Sequence, residues 1–208
     1  MIVQVAEQIK KNLLPMKTAG NFTHLCGMSK IVHTSYFSSK SGVFDTIPVP
    51  YSDDNTQDCR FNQSLSLVPS ENGVRAIGYF EESSPAVLLN KSQNLFDCNL
   101  NFVCWYNSKM FTNEQSELNT ILSANVIKLL SKKISVADTS FDFIQLDSIR
   151  MVSVEDSMSI FNKYTVLMNK YNLLLNPYGF FSISLNIKFS INYGCIPQLL
   201  NNADNCIN

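Results

Sequence analysis

From Phe180 to Tyr193 the chain alternates without a break. Phe181, Ile183, Leu185, Ile187, Phe189, Ile191 and Tyr193 share one side, with Ser182, Ser184, Asn186, Lys188, Ser190 and Asn192 on the other. A period of two marks a strand with one buried face. At the rise of an extended chain it would run about 45 Å, roughly twice the usual strand length. Burying its apolar side chains is worth about 10–20 kcal/mol gross. Fixing the backbone costs about 1–2 kcal/mol per residue, which cancels most of that gain. Such a strand is stable only within a wide sheet whose apolar face is covered.

The rest of the chain supplies candidates for both the sheet and the cover. Ile2, Val5, Ala6, Ile9 and Leu13 recur at helical steps opposite Gln4, Glu7, Gln8, Lys10 and Lys11, which predicts a short helix stopped by Pro15. So short a helix is marginal alone, so its stripe must dock on its own sheet or on a neighbouring subunit. Residues 18–73 are less regular and predict two or three strands. Ile47-Pro48-Val49-Pro50-Tyr51, running into Ser52-Asp53-Asp54-Asn55, reads as an extended arm followed by a polar loop. Val74–Phe80 and Ala86–Leu89 read as strands joined by a turn at Glu81–Pro85.

Between Phe96 and Tyr106 the period of two returns, with Phe96, Cys98, Leu100, Phe102, Cys104 and Tyr106 on one face. Thr112 with Gln115 fits a capping box, and Leu118, Ile121, Leu122, Val126, Leu129, Leu130 and Ile134 continue a helical stripe. Lys128, Lys132 and Lys133 near its end complement the helix dipole. Phe141–Val154 predicts one strand or a bent pair, a second helix is expected near Asp156, and Asn176–Gly179 is a turn. The tail at about 201–208 is expected to fray. The expected fold is α+β, a single domain over 1–208 with a mainly antiparallel sheet of long strands. It has an N-terminal helix, one or two helices packed on one face and an irregular arm at about 40–73.

Charged residues are 16% of the chain, below the roughly 25% of ordinary domains, and Asn and Ser take up the difference. A surface of that kind suits repeated contact with other subunits, although an AT-rich genome would favour the same codons. Net charge is −1, with no basic run, so the footprint of a DNA-wrapping protein is missing. No apolar run approaches the roughly 20 residues that cross a bilayer. Nor does the Met1 segment look like a secretory signal, being amphipathic rather than basic and then apolar. Without that route the six cysteines are expected to be reduced and buried, and no two form a CxxC pair.

Candidates for chemistry are weak. His24, Cys26 and His33 form a loose cluster without the paired second half of a zinc site. Nucleophile pairs of Cys26, Cys98 or Cys104 with either histidine lack any local signature. Asp53–Asp54, Glu81–Glu82 and Glu155–Asp156 are adjacent pairs in expected turns, and neighbours on a strand face opposite ways. No glycine pattern cradles phosphate. The residues therefore predict no catalytic, cofactor or metal site. Ile2, Val5, Ile9, Pro48, Pro50, Tyr51, Trp105, Tyr106 and Tyr178 are the candidates for an interface.

The order of elements is similar to that of the tail-terminator and head–tail connector proteins of tailed bacteriophages. The stretch Lys170-Tyr171-Asn172-Leu173-Leu174-Leu175-Asn176-Pro177-Tyr178-Gly179-Phe180-Phe181-Ser182-Ile183, continuing through Ile187–Tyr193, resembles structural proteins of phages of Bacteroides-type bacteria, including crAss-like phages. The resemblance spans about half of the chain. The region around 40–73 departs from the compact family pattern, leaving the position in the neck open. It implies a non-enzymatic virion protein of the neck or tail, assembled in the bacterial host cytoplasm. Its partners would be itself, in a closed sixfold or twelvefold ring, and portal or other neck and tail proteins. At most it would make weak contact with DNA in the lumen. The residues alone leave open two other classes, an adaptor that recruits another protein through an exposed strand face and an enzyme of unrecognised type built around His24, His33 and the nearby cysteines.

Overall fold

The computed structural model describes residues 1–34, 45–50, 73–112, 115–136, 138–152, 177–192 and 194. Helix α1 spans Ile2–Thr18 and helix α2 spans Gln115–Leu130. The strands are β1 (His24–Thr34), β2 (Asp45–Pro50), β3 (Ala76–Asn90), β4 (Leu95–Asn107), β5 (Phe141–Met151) and β6 (Tyr178–Ile191). They form one six-stranded sheet in the order β2-β1-β3-β4-β6-β5. Among the described strands only β1 and β3 pair in parallel, so the fold is α+β with a mostly antiparallel sheet.

The long alternating strand is β6, and it lies inside the sheet between β4 and β5. Against β4 its register runs unbroken from Leu95↔Ser190 to Asn107↔Tyr178. Phe181, Ile183, Leu185, Ile187, Phe189 and Ile191 form one apolar face with Cys98, Leu100, Phe102, Cys104 and Tyr106 of β4. Both helices cover that face: Val5, Ile9 and Leu13 of α1, and Leu118, Leu122, Val126 and Leu130 of α2, are buried in the same cluster. Asn12 Nδ2 of α1 donates to the Lys132 carbonyl at 3.0 Å, tying the first helix to the end of the second. The stripe of α1 thus docks on its own sheet.

The polar face of β6 is not simply wet. Asn186 Nδ2 donates to Asp97 Oδ1 at 2.9 Å and to Asn99 Oδ1 at 3.0 Å, and Asn99 Nδ2 donates to Ser84 Oγ at 3.1 Å. On the other side Ser190 Oγ donates to Asp142 Oδ2 at 3.1 Å, and Lys188 Nζ pairs with Asp147 Oδ2 at 3.0 Å. Asn99, Asn186, Ser84 and Ser190 thus form cross-strand bonds within the sheet.

Several expectations need correction. Pro15 does not stop α1, because it stands in the last turn, where the missing N–H forfeits one bond. The helix closes beyond it, with the Ala19 amide donating to the Pro15 carbonyl at 2.9 Å, and Met16 extends the buried stripe. Glu81–Pro85 is not a turn. It lies within a continuous β3 and is absorbed by register irregularities between Glu82 and Ser84 and between Ser84 and Val87. Bulges are where a strand tolerates proline. The chain actually reverses at residues 91–94, where Asn90 Oδ1 accepts from the Ser92 amide at 2.9 Å and Asn94 takes a φ of 51°. Helix α2 is described from Gln115, and the capping box expected of Thr112 and Gln115 lies outside the described residues. Ile121 stays exposed rather than joining its buried stripe. Cys98 and Cys104 are buried free thiols, as expected, but Cys26 is disulfide-bonded. The helix expected near Asp156, most of the 40–73 arm and the 201–208 tail lie outside the described residues.

Candidate functional site

The interface candidates divide by burial. Val5 and Ile9 are fully buried, and Ile2 is half-buried against the same core. Trp105 and Tyr106 are also core. Tyr106 packs edge-on to Phe111 at 6.3 Å, and its ring occupies the space that a Cβ on Gly179 would need. Tyr178, half-buried, ends β6 opposite Asn107. Pro48 is buried in the edge strand β2 opposite Ile31, and Pro50 stands opposite Ser29. Tyr51 lies outside the described residues. Among the described residues no cluster of these side chains is brought together on an open surface.

The chemical candidates fare no better. Among the described residues no group of three or more His, Cys, Asp or Glu side chains could hold a metal ion. Glu81 is buried and Glu82 exposed, their side chains face opposite sides of the sheet, and no acid–base couple results. Burial, followed by the carboxylates of Asp97 and Glu82, pushes the Cys98 thiol up to about 12, and burial raises Cys104 well above its ordinary range. A thiol so protonated is a poor nucleophile. Neither Cys98 nor Cys104 should be modified by a disulfide reagent at pH 8 in the native protein. Both should react once urea unfolds it, and native-state labelling would show them to be accessible.

Open surface is found instead at the sheet's margins. Strand β1 pairs with β3 only between His24 and Met28, then turns to β2. Among the described residues, the outer half of β3 therefore has no strand beside it on that side. This half carries the consecutive apolar residues Val87, Leu88 and Leu89, exposed by 58%, 40% and 51%. Among the described residues the edge strands of the sheet are β2 and, at the far end, β5, on which Phe143 and Met151 are exposed. A groove of about 570 Å³ lies beside it, lined by residues 130–134 and 143–149 and including Ile134, Leu146, Lys132 and Lys133. Exposed edges with apolar side chains are sites for strand addition by another chain. The sequence reading missed this surface because Pro85 made Ala86–Leu89 look like a separate short strand. The available signal was three adjacent apolar residues between Glu82 and Lys91.

Comparisons with protein-family models, curated proteins and solved structures find no match to this chain. Among the described residues no helix is long and apolar enough to cross a membrane.

Proposed function

We propose that this chain is a non-enzymatic structural protein that assembles with copies of itself into a ring, in the neck or tail of a tailed phage. The observation that carries self-assembly is the pair of unlike margins on one sheet, the outer half of β3 and the strand β5. Two different patches on opposite sides of a subunit favour head-to-tail contacts, which generate rings when the rotation closes. The virion setting rests on the resemblance of element order and of the C-terminal stretch to connector and terminator proteins.

A second reading is favoured by the groove beside β5. An extended peptide from a different protein could add to that edge and seat a side chain in the groove, which would make the chain an adaptor. The two readings differ in solution mass. Light scattering over a concentration series, followed by negative-stain imaging, should show growth toward a closed sixfold or twelvefold particle. A chain that stays monomeric throughout and binds one foreign peptide at β5 would replace the ring reading with the adaptor.

A further inference from the structure

A pocket sunk into one face of a sheet is lined by alternate residues of a strand, because neighbours point to opposite sides. The groove beside β5 is lined by every residue from Phe143 to Ile149, so it follows the strand and not a face. Strand β5 ends the sheet, with β6 on one side and, among the described residues, no strand on the other. An edge of that kind presents unpaired backbone N–H and C=O groups. At the rise of an extended chain the lined stretch is roughly 20 Å long. Length and backbone together suit an extended segment better than a compact small molecule.

The opposite wall is residues 130–134, where the chain leaves α2. Ser131 Oγ donates to the Ile127 carbonyl at 2.8 Å, and the Lys132 carbonyl accepts from Asn12 Nδ2 at 3.0 Å, so both helices hold this wall in place. Leu130, Ile134 and Ile144 are buried, and Leu146 and Ile149 are half-buried, which makes most of the lining apolar. Ile144 and Leu146 stand opposite Phe189 and Ile187 and so belong to the helix-covered side. The charged residues of the lining are Lys132, Lys133 and Asp147. Asp147 is already paired with Lys188 at 3.0 Å. Lys132 and Lys133 are exposed and form no ion pair among the described residues. The groove is therefore apolar with an uncompensated positive rim.

We propose that this groove takes an extended, acidic peptide segment of a different protein, which adds to β5 as a further strand. Apolar side chains on one side of the segment enter the lining at Ile134, Ile144 and Leu146, and carboxylates on the same side meet Lys132 and Lys133. A second copy docking here through a twofold axis would gather the lysines of both copies at one contact, which like charge disfavours. The irregularity between Leu146 and Ser148 limits regular pairing to Phe143–Leu146. Side chains, and not backbone bonds alone, therefore select the occupant.

This inference deepens the adaptor reading and rests on it, and one set of peptides separates the two. The capped, fluorescein-labelled heptapeptide Glu-Thr-Leu-Thr-Leu-Thr-Glu presents acid, apolar, apolar and acid along one side when extended. At low salt it should bind the intact protein about tenfold more tightly than the same peptide with lysine in place of both glutamates, read by fluorescence anisotropy. Salt at about 0.5 M should shrink that preference, and the double variant Lys132→Glu, Lys133→Glu should reverse it. N-methylating one alternate set of the peptide amides should abolish binding, and methylating the other set should leave it. Equal affinities for the two peptides would overturn the acidic occupant and leave a strand-edge adaptor standing. No binding of either peptide up to about 1 mM would overturn both. Displacement of bound peptide as the protein's own concentration rises would give the groove to a second copy and overturn the foreign occupant.

Discussion

Replacing Phe102 by Ala should lower the free energy of unfolding by about 3–5 kcal/mol, the range for emptying a buried aromatic site. Phe102 is fully buried at the point where helix, sheet and the first connection meet. Its ring stands edge-on to Phe22 at 6.1 Å and to Phe80 at 5.2 Å, and such pairs add about 0.5–1.5 kcal/mol beyond area burial. Facing it is Gly78, where an added Cβ would come within 2.7 Å of Phe102 Cζ and 3.2 Å of Leu25 Cδ1. The space is taken, so truncating the ring leaves a cavity that rigid β3 and β4 cannot close. For a chain of this size about 2–4 °C of melting temperature is lost per kcal/mol, so a fall of roughly 10 °C is expected. Gly78→Ala should also destabilise, by about 1–3 kcal/mol of overpacking. In a Phe102→Leu background that penalty should shrink, because the two positions share one space. Independent, additive effects in a urea double-mutant cycle would show that the ring and the glycine are not coupled as described.

Patterns that survive any tertiary context were legible in the sequence. The period of two in β4 and β6 and the helical stripes of α1 and α2 picked out most of the residues between sheet and helices, though Ile121 stays exposed and Trp105 is buried on the other face, and the α+β layering follows from them. Local breaker signals were misleading. Pro15 and Pro85 both predicted an end where none occurs, since each sits where one missing N–H is cheap: the last turn of a helix and a bulge in a strand. The composition was readable only in part. Asn99, Asn186 and Ser84 look like surface polarity, yet they bond one another across strands.

The candidate surface was the least legible part, for a physical reason. A margin is a property of sheet order, and nothing in the sequence states that β1 leaves β3 after Met28. Trp105 and Tyr106 drew attention as aromatic anchors at a strand end, but β4 lies between β3 and β6, so that end is inside the sheet. Val87, Leu88 and Leu89 carry less conspicuous side chains in a place that no neighbouring strand protects. Aromatic content alone therefore pointed to the core, and topology pointed to the edge.

Raising the pH should destabilise this protein steeply over the interval in which most domains are still holding. Burial first, then the charge of Glu81, lifts the Tyr79 phenol well above its usual value. Tyr106 is pushed up to about 12 by burial and then by Cys104, and Cys98 to about 12 by burial and then by Asp97 and Glu82. In the unfolded chain a thiol titrates near about 8.5 and a phenol near about 10. Between those values and the raised ones the folded state holds protons that the unfolded state has released, so stability falls as pH rises. The contribution of these groups is complete below about pH 8.5 and is lost progressively as pH climbs toward about 12. Urea midpoints measured from pH 8 upward should decline with increasing slope. Tyr79→Phe removes one such proton and should flatten the decline, even if it lowers the midpoint at neutral pH. Midpoints that stay level to about pH 11 would mean that these side chains meet water in the folded protein.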